Sequence, residues 1–166
     1  MRVYTYNKTQ YLAFWGSVFS QWSLHGFEVY GKQFQTAEHY MMYMKAKLFN
    51  DDNIADQILR CTDPREVKSL GRKVKGFDEK IWNENKFEIV TTGNFHKFKQ
   101  NSELLNTLRE YQNCIFVEGS PYDKIWGVGL HWQSKEIENP KNWKGQNLLG
   151  KAINKTIEKL KKIELL

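Results

Sequence analysis

The chain has 166 residues and a mass of 19.7 kDa, which is enough for one domain with a core that needs neither metal nor disulfide support. With 40% hydrophobic, 14% aromatic and 27% charged residues, it is not an intrinsically disordered chain. No apolar run approaches the ~20 residues of a membrane helix, and the N-terminus has no signal-peptide pattern. We therefore expect one folded domain over residues 1–166, located in the cytoplasm, with no membrane partner.

The formal net charge is +6 and the isoelectric point is near 9.2, with Lys and Arg spread along the chain. This balance favours anionic partners, although a solvated basic surface explains it as well. The two cysteines are far apart and belong to no Cys or Cys/His cluster, which is typical of a reducing compartment. None of the four histidines has metal-ligand spacing, so we expect no metal and no cofactor.

Short strands are predicted over residues 3–6 and, as a hairpin through Gly31, over residues 27–34. Helices are predicted from their capping residues and apolar periodicity. They run from Thr36 to Phe49, over residues 54–59, from Asp63 to Val74, onward from Asp78, onward from Ser102, and after Gly145. Residues 114–117 read as a buried strand and 118–130 as a loop, so the fold class is α+β, predominantly helical, with a small sheet.

The helix over residues 36–49 carries charged residues among apolar ones on nearly every side. Glu38 and Lys45 are seven positions apart, which places them on one face with ~10 Å between their Cα atoms. A lysine enclosed in such a stripe is desolvated, and its lowered pKa makes the neutral amine a nucleophile. The alternative is that Glu38 only favours the first turn and Lys45 reaches solvent along its methylenes. Lys47 points the other way, and His39 is expected to be structural.

Seven ordered motifs cover essentially the whole chain. They include F14-W15-G16-x-x-F19-S20-Q21-W22, Y30-G31-x-x-F34-x-T36-A37-E38-H39-Y40, L70-G71-R72, F77-D78-x-x-x-W82, S120-P121-x-D123-x-x-W126-G127-x-G129 and G145-x-N147-x-L149-G150. In this order they resemble the NADAR superfamily, also called YbiA-like. The resemblance implies a YbiA-like fold and an N-glycosidase activity that cleaves the bond from ribose C1 to nitrogen.

The resemblance also assigns roles to particular residues. It implies that Glu38, Lys45 and Asp123 are catalytic, with Lys45 forming a Schiff base that is hydrolysed by water a carboxylate activates. The alternative route is direct displacement at C1, in which Glu38 and Asp123 stabilise charge and help the base leave. Substrate-binding residues are expected at Trp82, Phe19, Ser20, Arg72, Trp126, Gly127, Gly129 and Asn147. The last helix, A152-I153-N154-K155-T156, lacks the arginine that family members often carry there, and F19-S20-Q21 stands where FSN is usual.

Family members differ in substrate. Some remove ADP-ribose from guanine in nucleic acids, and others act on ribosylamino-pyrimidine phosphates of riboflavin biosynthesis. The charge of +6 favours ADP-ribosylated DNA or RNA, because a polyanion gains from surface lysines that a small metabolite does not use. A ribosylated small molecule is the alternative substrate, and a non-catalytic ADP-ribose-binding module is the alternative class of protein.

Overall fold

The computed structural model describes all residues from 1 to 166, and they form two compact units. Unit one comprises residues 1–20 and 102–166, and unit two comprises residues 21–101. The elements in chain order are β1 (Arg2–Tyr6), β2 (Thr9–Phe14), β3 (Phe27–Val29), β4 (Lys32–Phe34), α1 (Ala37–Leu48), α2 (Asp52–Arg60), α3 (Pro64–Gly71), α4 (Glu79–Gln100), α5 (Ser102–Glu110), β5 (Ile115–Glu118) and α6 (Leu148–Lys162). The predominantly helical α+β class is confirmed, and the single domain over residues 1–166 stays a prediction.

Unit one is built on a three-stranded sheet with the order β1-β2-β5. β2 pairs antiparallel with β1 and parallel with β5, so it is the central strand. Its residues from Leu12 to Phe14 are buried, because both faces of the strand are covered. On one face Ala13 and Val117 pack with Val128 and Ile137, and on the other Phe14 packs against the rings of Phe19 and Phe116.

The outer edge of β5 is closed by two asparagines of the α6 segment. Asn154 accepts a hydrogen bond from the N–H of Phe116 and donates one to the carbonyl of Cys114. Asn147, directly before α6, accepts from the N–H of Glu118 and donates to the carbonyl of Phe116. These amides satisfy backbone groups that an edge strand otherwise leaves open to another chain.

Unit two is organised around α1, which packs against α2, α3, α4 and β4. Thr36 caps its N-terminus by accepting the N–H of His39, as the sequence predicts. Two residues of neighbouring helices approach α1 so closely that a side chain on them would collide with it, and both are glycines. Gly71 of α3 lies against Met42, and Gly93 of α4 lies against Tyr40. The predicted hairpin through Gly31 is confirmed as β3 and β4.

The sequence prediction differs from the structure in two elements. Strand β2 was not predicted, although it is the centre of its sheet. Helix α3 ends at Gly71 rather than at Val74. The N–H of Arg72 donates to the carbonyls of Ser69 and Leu70, and not to a carbonyl four residues earlier as in an α-helix. No helix in the structure is both long enough and apolar enough to cross a bilayer.

Candidate active site

Lys45 in the last turn of α1 lies among aromatic rings in unit two. Its Nζ is 4.7 Å from the ring centroid of Phe77 and 5.6 Å from that of Trp82. The Phe77 ring in turn packs edge-on against Phe49, with centroids 5.4 Å apart. Aromatic faces attract an ammonium group, so this position holds the side chain in a defined place. Lys45 is half-buried, so it does not simply extend into solvent.

Opposing influences act on the ionisation of Lys45. Burial lowers its pKa, the negative charge of Glu38 raises the pKa, and the positive charge of Arg72 lowers it again. The net direction is downward, which increases the fraction of neutral amine at a given pH. Glu38 itself is only 4% exposed. The structure therefore gathers a buried carboxylate and a desolvated lysine on the face of α1 that their seven-residue spacing indicates.

Local hydrogen bonds fix α1 and the Phe77 segment. The backbone N–H of Glu38 donates to the carbonyl of Gln21. The buried carboxylate of Asp51 accepts the N–H of Ile54 with one oxygen and the N–H of Lys75 with the other. These bonds lower the pKa of Asp51 and tie the start of α2 to the chain just before Phe77. The aromatic wall beside Lys45 is thus positioned by backbone contacts.

His39 lies next to Glu38 and is structural, as the sequence indicates. Its Nδ1 is 2.7 Å from the hydroxyl oxygen of Thr36, and its Nε2 is 2.8 Å from the carbonyl oxygen of Cys61. A carbonyl only accepts, so Nε2 carries the proton and Nδ1 accepts from the hydroxyl. Burial lowers the pKa of His39, and both ring nitrogens are engaged in holding α1 to the end of α2.

Unit two thus contains four of the predicted residues in related positions. Lys45 interacts with Glu38 and Arg72 through charge and with Trp82 through its ring. Trp82 is partly exposed in the first turn of α4, and Arg72 is exposed at the C-terminus of α3. A partly exposed aromatic ring and an exposed guanidinium therefore lie around the lysine.

The predicted residues of the WG loop belong to unit one. Oδ1 of Asp123 accepts the N–H groups of Ile125 and Trp126, at 2.9 Å and 2.8 Å, so this carboxylate shapes a tight turn. Gly129 has a φ of +71°, and its N–H donates to the carbonyl of Asp123. Gly127 packs against the same carbonyl and against that of Glu118. The loop is folded onto its own backbone and presents Trp126 partly exposed.

Three further predicted residues also lie in unit one. Phe19 is fully buried against Phe14 and Phe116, which makes its ring a core side chain with no surface for a ligand. Ser20 is partly exposed, and its N–H donates to the carbonyl of Ser17. Asn147 is buried with both ends of its amide bonded to β5, so its visible role is to anchor the start of α6.

Known proteins resemble this chain along most of its length. A family model described as the NADAR domain matches residues 10–161. This chain belongs to the NADAR family. It is 45% identical to an N-glycosidase of Acanthamoeba polyphaga mimivirus over 85% of this chain and 86% of the relative. It is 27% identical to an N-glycosidase of Nostoc punctiforme over 87% and 86%. The NMR structure of Escherichia coli YbiA superimposes with a TM-score of 0.73 at 26% identity, over 92% of this chain and 87% of that one.

One residue of this NADAR site was not among those predicted from the sequence. Phe77 provides the ring nearest to the Lys45 amine, and it is 47% exposed although it is large and apolar. The available signal was an apolar residue directly before the helix-capping Asp78, a position that normally packs onto the following helix. No group of three or more His, Cys, Asp or Glu side chains is arranged to hold a metal ion.

Proposed function

We propose that this NADAR protein is an N-glycosidase that removes ADP-ribose from guanine in DNA or RNA, with Lys45 as the nucleophile. The observation that carries the proposal is the half-buried Lys45 amine between Phe77 and Trp82, with its pKa lowered by burial and Glu38 on the same helix face. Membership of the NADAR family and relatives named N-glycosidases support the class of reaction. The net charge of +6 supports the polyanionic substrate.

The reaction proceeds in two stages in this proposal. The neutral Nζ of Lys45 attacks ribose C1, and the bond from C1 to the guanine nitrogen breaks, with the electron pair leaving on the base and a proton supplied to it. The furanose ring then opens to a protonated imine between C1 and Nζ. Water adds to the imine carbon, the bond between C1 and Nζ breaks, and free ADP-ribose leaves with the amine restored.

The carboxylates and the ring of Trp82 have distinct roles in this scheme. Glu38 takes the proton of the attacking water and stabilises positive charge that develops on the sugar. Asp123, at the position of the family's WG-loop aspartate, is the second carboxylate, and a carboxyl group there suits proton supply to the leaving base. Trp82 provides a stacking plane for a base, and Arg72 provides a bidentate donor for phosphate.

A second candidate substrate is a ribosylamino-pyrimidine phosphate. The observation that favours it is a 27% identity to a riboflavin biosynthesis protein of Vibrio vulnificus, over 61% of this chain and 27% of that protein. Assays of the two substrates side by side separate the candidates. Release of ADP-ribose from a modified oligonucleotide supports the proposal. Cleavage of the small molecule alone means that the ribosylamino-pyrimidine phosphate is the substrate. Binding of either compound without turnover means that the protein is a binding module and not an enzyme.

Borohydride tests the nucleophile, because reduction of the imine leaves a stable sugar adduct on the protein. Lys45→Ala is expected to abolish the adduct and to lower turnover on the order of a thousandfold or more. Lys45→Arg is expected to fail equally, because a guanidinium stays protonated. Lys47→Ala is the matched control, since Lys47 is exposed on the same helix and paired with Asp52 at 2.7 Å. Full activity of Lys45→Ala contradicts the lysine route.

A further inference from the structure

An exposed group of aromatic side chains lies in unit one, outside the residues assigned to the reaction. The ring of Trp15 is 5.8 Å from that of Tyr122 and 5.5 Å from that of His131, measured between centroids. Tyr122 is 86% exposed and Trp15 is 39% exposed. We call Trp15, Tyr122 and His131 the aromatic platform. Large rings left in water at such close spacing have no role in a core.

The platform rests on a rigid frame at the end of the sheet in unit one. The N–H of Gly119 donates to the carbonyl of Phe14, the residue before Trp15, and the N–H of Trp132 donates to the carbonyl of Gly119. Gly119 and Trp132 approach so closely that no Cβ fits at position 119. The hydroxyl of Ser120 accepts the N–H of Tyr122. The backbone that carries the rings is therefore fixed before any ligand arrives, which reduces the entropy lost on binding.

Positive charge adjoins the platform. Lys124 and Lys144 are both exposed, and both pack against Gly129. A Cβ atom added to Gly129 would lie 3.2 Å from Cγ of Lys124 and 3.1 Å from Cβ of Lys144. Lys124 is two residues after Tyr122, and Gly129, which both lysines contact, is two residues before His131. Two residues of chain span at most about 7 Å, so both lysines lie near the platform. The whole segment 118–147 is balanced in charge, with four lysines and four acidic residues, so the cations that matter are the two lysines next to the rings.

We propose that the aromatic platform binds single-stranded nucleic acid, with bases stacked on Tyr122 and Trp15 and phosphates beside Lys124 and Lys144. Stacking on exposed rings requires bases that are not already stacked in a duplex, and adjoining cations follow the strand's phosphates. The planes of Trp15 and Tyr122 are tilted by 53°, and Trp15 meets His131 edge-on, so Trp15 and Tyr122 each take a separate base. The inference concerns binding of unmodified strands and does not depend on which bond the Lys45 site cleaves.

The test is the fluorescence anisotropy of a labelled, unmodified oligothymidylate titrated with the full-length protein. Tyr122→Ala is expected to weaken binding about tenfold, and Tyr122→Phe to retain it, because stacking needs the ring and not the hydroxyl. Lys124→Gln and Lys144→Gln are each expected to reduce the slope of log affinity against log salt by about 0.7. The matched control is Tyr30→Asn in unit two, which removes a 100% exposed tyrosine from a hairpin turn and is expected to bind as the unaltered protein does.

Several results overturn the inference. The first is that the unaltered protein does not bind the strand. The second is that Tyr122→Ala and Tyr30→Asn bind it equally well. The third is that the protein binds a duplex as tightly as the single strand. Displacement of the strand by an equimolar amount of free ADP-ribose also overturns it, since the platform is then a nucleotide subsite. Failure of catalysis leaves these titrations unaffected, and failure of strand binding leaves the borohydride experiment unaffected, so the two proposals are tested separately.

Discussion

At the scale of single residues, the ionisation of Lys45 follows from a balance of neighbours with opposite effects. Burial and the charge of Arg72 favour the neutral amine, whereas the charge of Glu38 favours the ammonium form. The rings of Phe77 and Trp82 also favour the ammonium form through cation–π attraction. A nucleophilic lysine needs the neutral form for attack and a cationic imine afterwards, and this environment accommodates both.

Removing either charged neighbour is expected to move the Lys45 pKa in opposite directions. Glu38→Gln lowers the pKa because the stabilising negative charge is lost, and Arg72→Gln raises it because a repelling positive charge is lost. The measurement is the pH dependence of amine labelling at Lys45, followed by mass spectrometry. Labelling at Lys47 in the same samples is the internal control. Midpoints that move in the same direction in both variants contradict this electrostatic account.

Helical periodicity relates the charged residues of this site, whereas of its aromatic rings Trp82 was expected only from the family resemblance and Phe77 was not predicted. Glu38 and Lys45 share one helix, so their relation follows from helical periodicity. Phe77 and Trp82 lie more than 30 positions further along, and α2 and α3 intervene before they return to Lys45. Such long-range proximity depends on how helices pack, which a single sequence does not specify.

At the scale of elements, helix caps were predictable and the central strand was not. The predicted caps Thr36, Asp63 and Asp78 each accept a backbone N–H, because short polar side chains satisfy donors that the helix leaves open. Asp51 does the same for α2, where no cap was predicted, and Ser102, predicted as a cap, is the first residue of α5. Strand β2 follows a turn at Asn7 and Lys8, both with positive φ, without the glycine that usually signals such a hairpin. Its buried end, from Leu12 to Phe14, is also too short to show an alternating pattern.

The junction of α6 and β5 gives an element-scale prediction. Asn154→Leu removes both hydrogen bonds of that amide and leaves the N–H of Phe116 and the carbonyl of Cys114 without them. We expect a loss of about 2–3 kcal/mol in the free energy of unfolding, measured with urea. Lys151→Ala, at an exposed position of the same helix, is the control and is expected to change stability by less than about 0.5 kcal/mol. Equal stability of the two variants contradicts the edge-closing role.

At the scale of the whole molecule, composition predicts the class of fold but not the pairing of β2 with β5. These strands are about 100 positions apart and parallel, so their register depends on everything folded between them.

Composition also does not reveal which ionisable groups are buried. His39 and Lys97 are both enclosed in unit two, and burial lowers the pKa of each. Both groups therefore make the folded state bind protons less readily than the unfolded chain.

Lys97 is expected to make the protein more stable as the pH rises above neutrality. Burial lowers its pKa from 10.5 to about 7, so between these values the unfolded chain holds a proton that the folded chain lacks. Stability then increases with pH within that window, and this contribution is constant below it. Urea unfolding at successive pH values checks this: Lys97→Met is expected to lose the increase, whereas Lys99→Met, exposed on the same helix, is expected to keep it. If both variants keep the slope of the unaltered protein, Lys97 is charged in the folded state and the buried-neutral assignment is wrong.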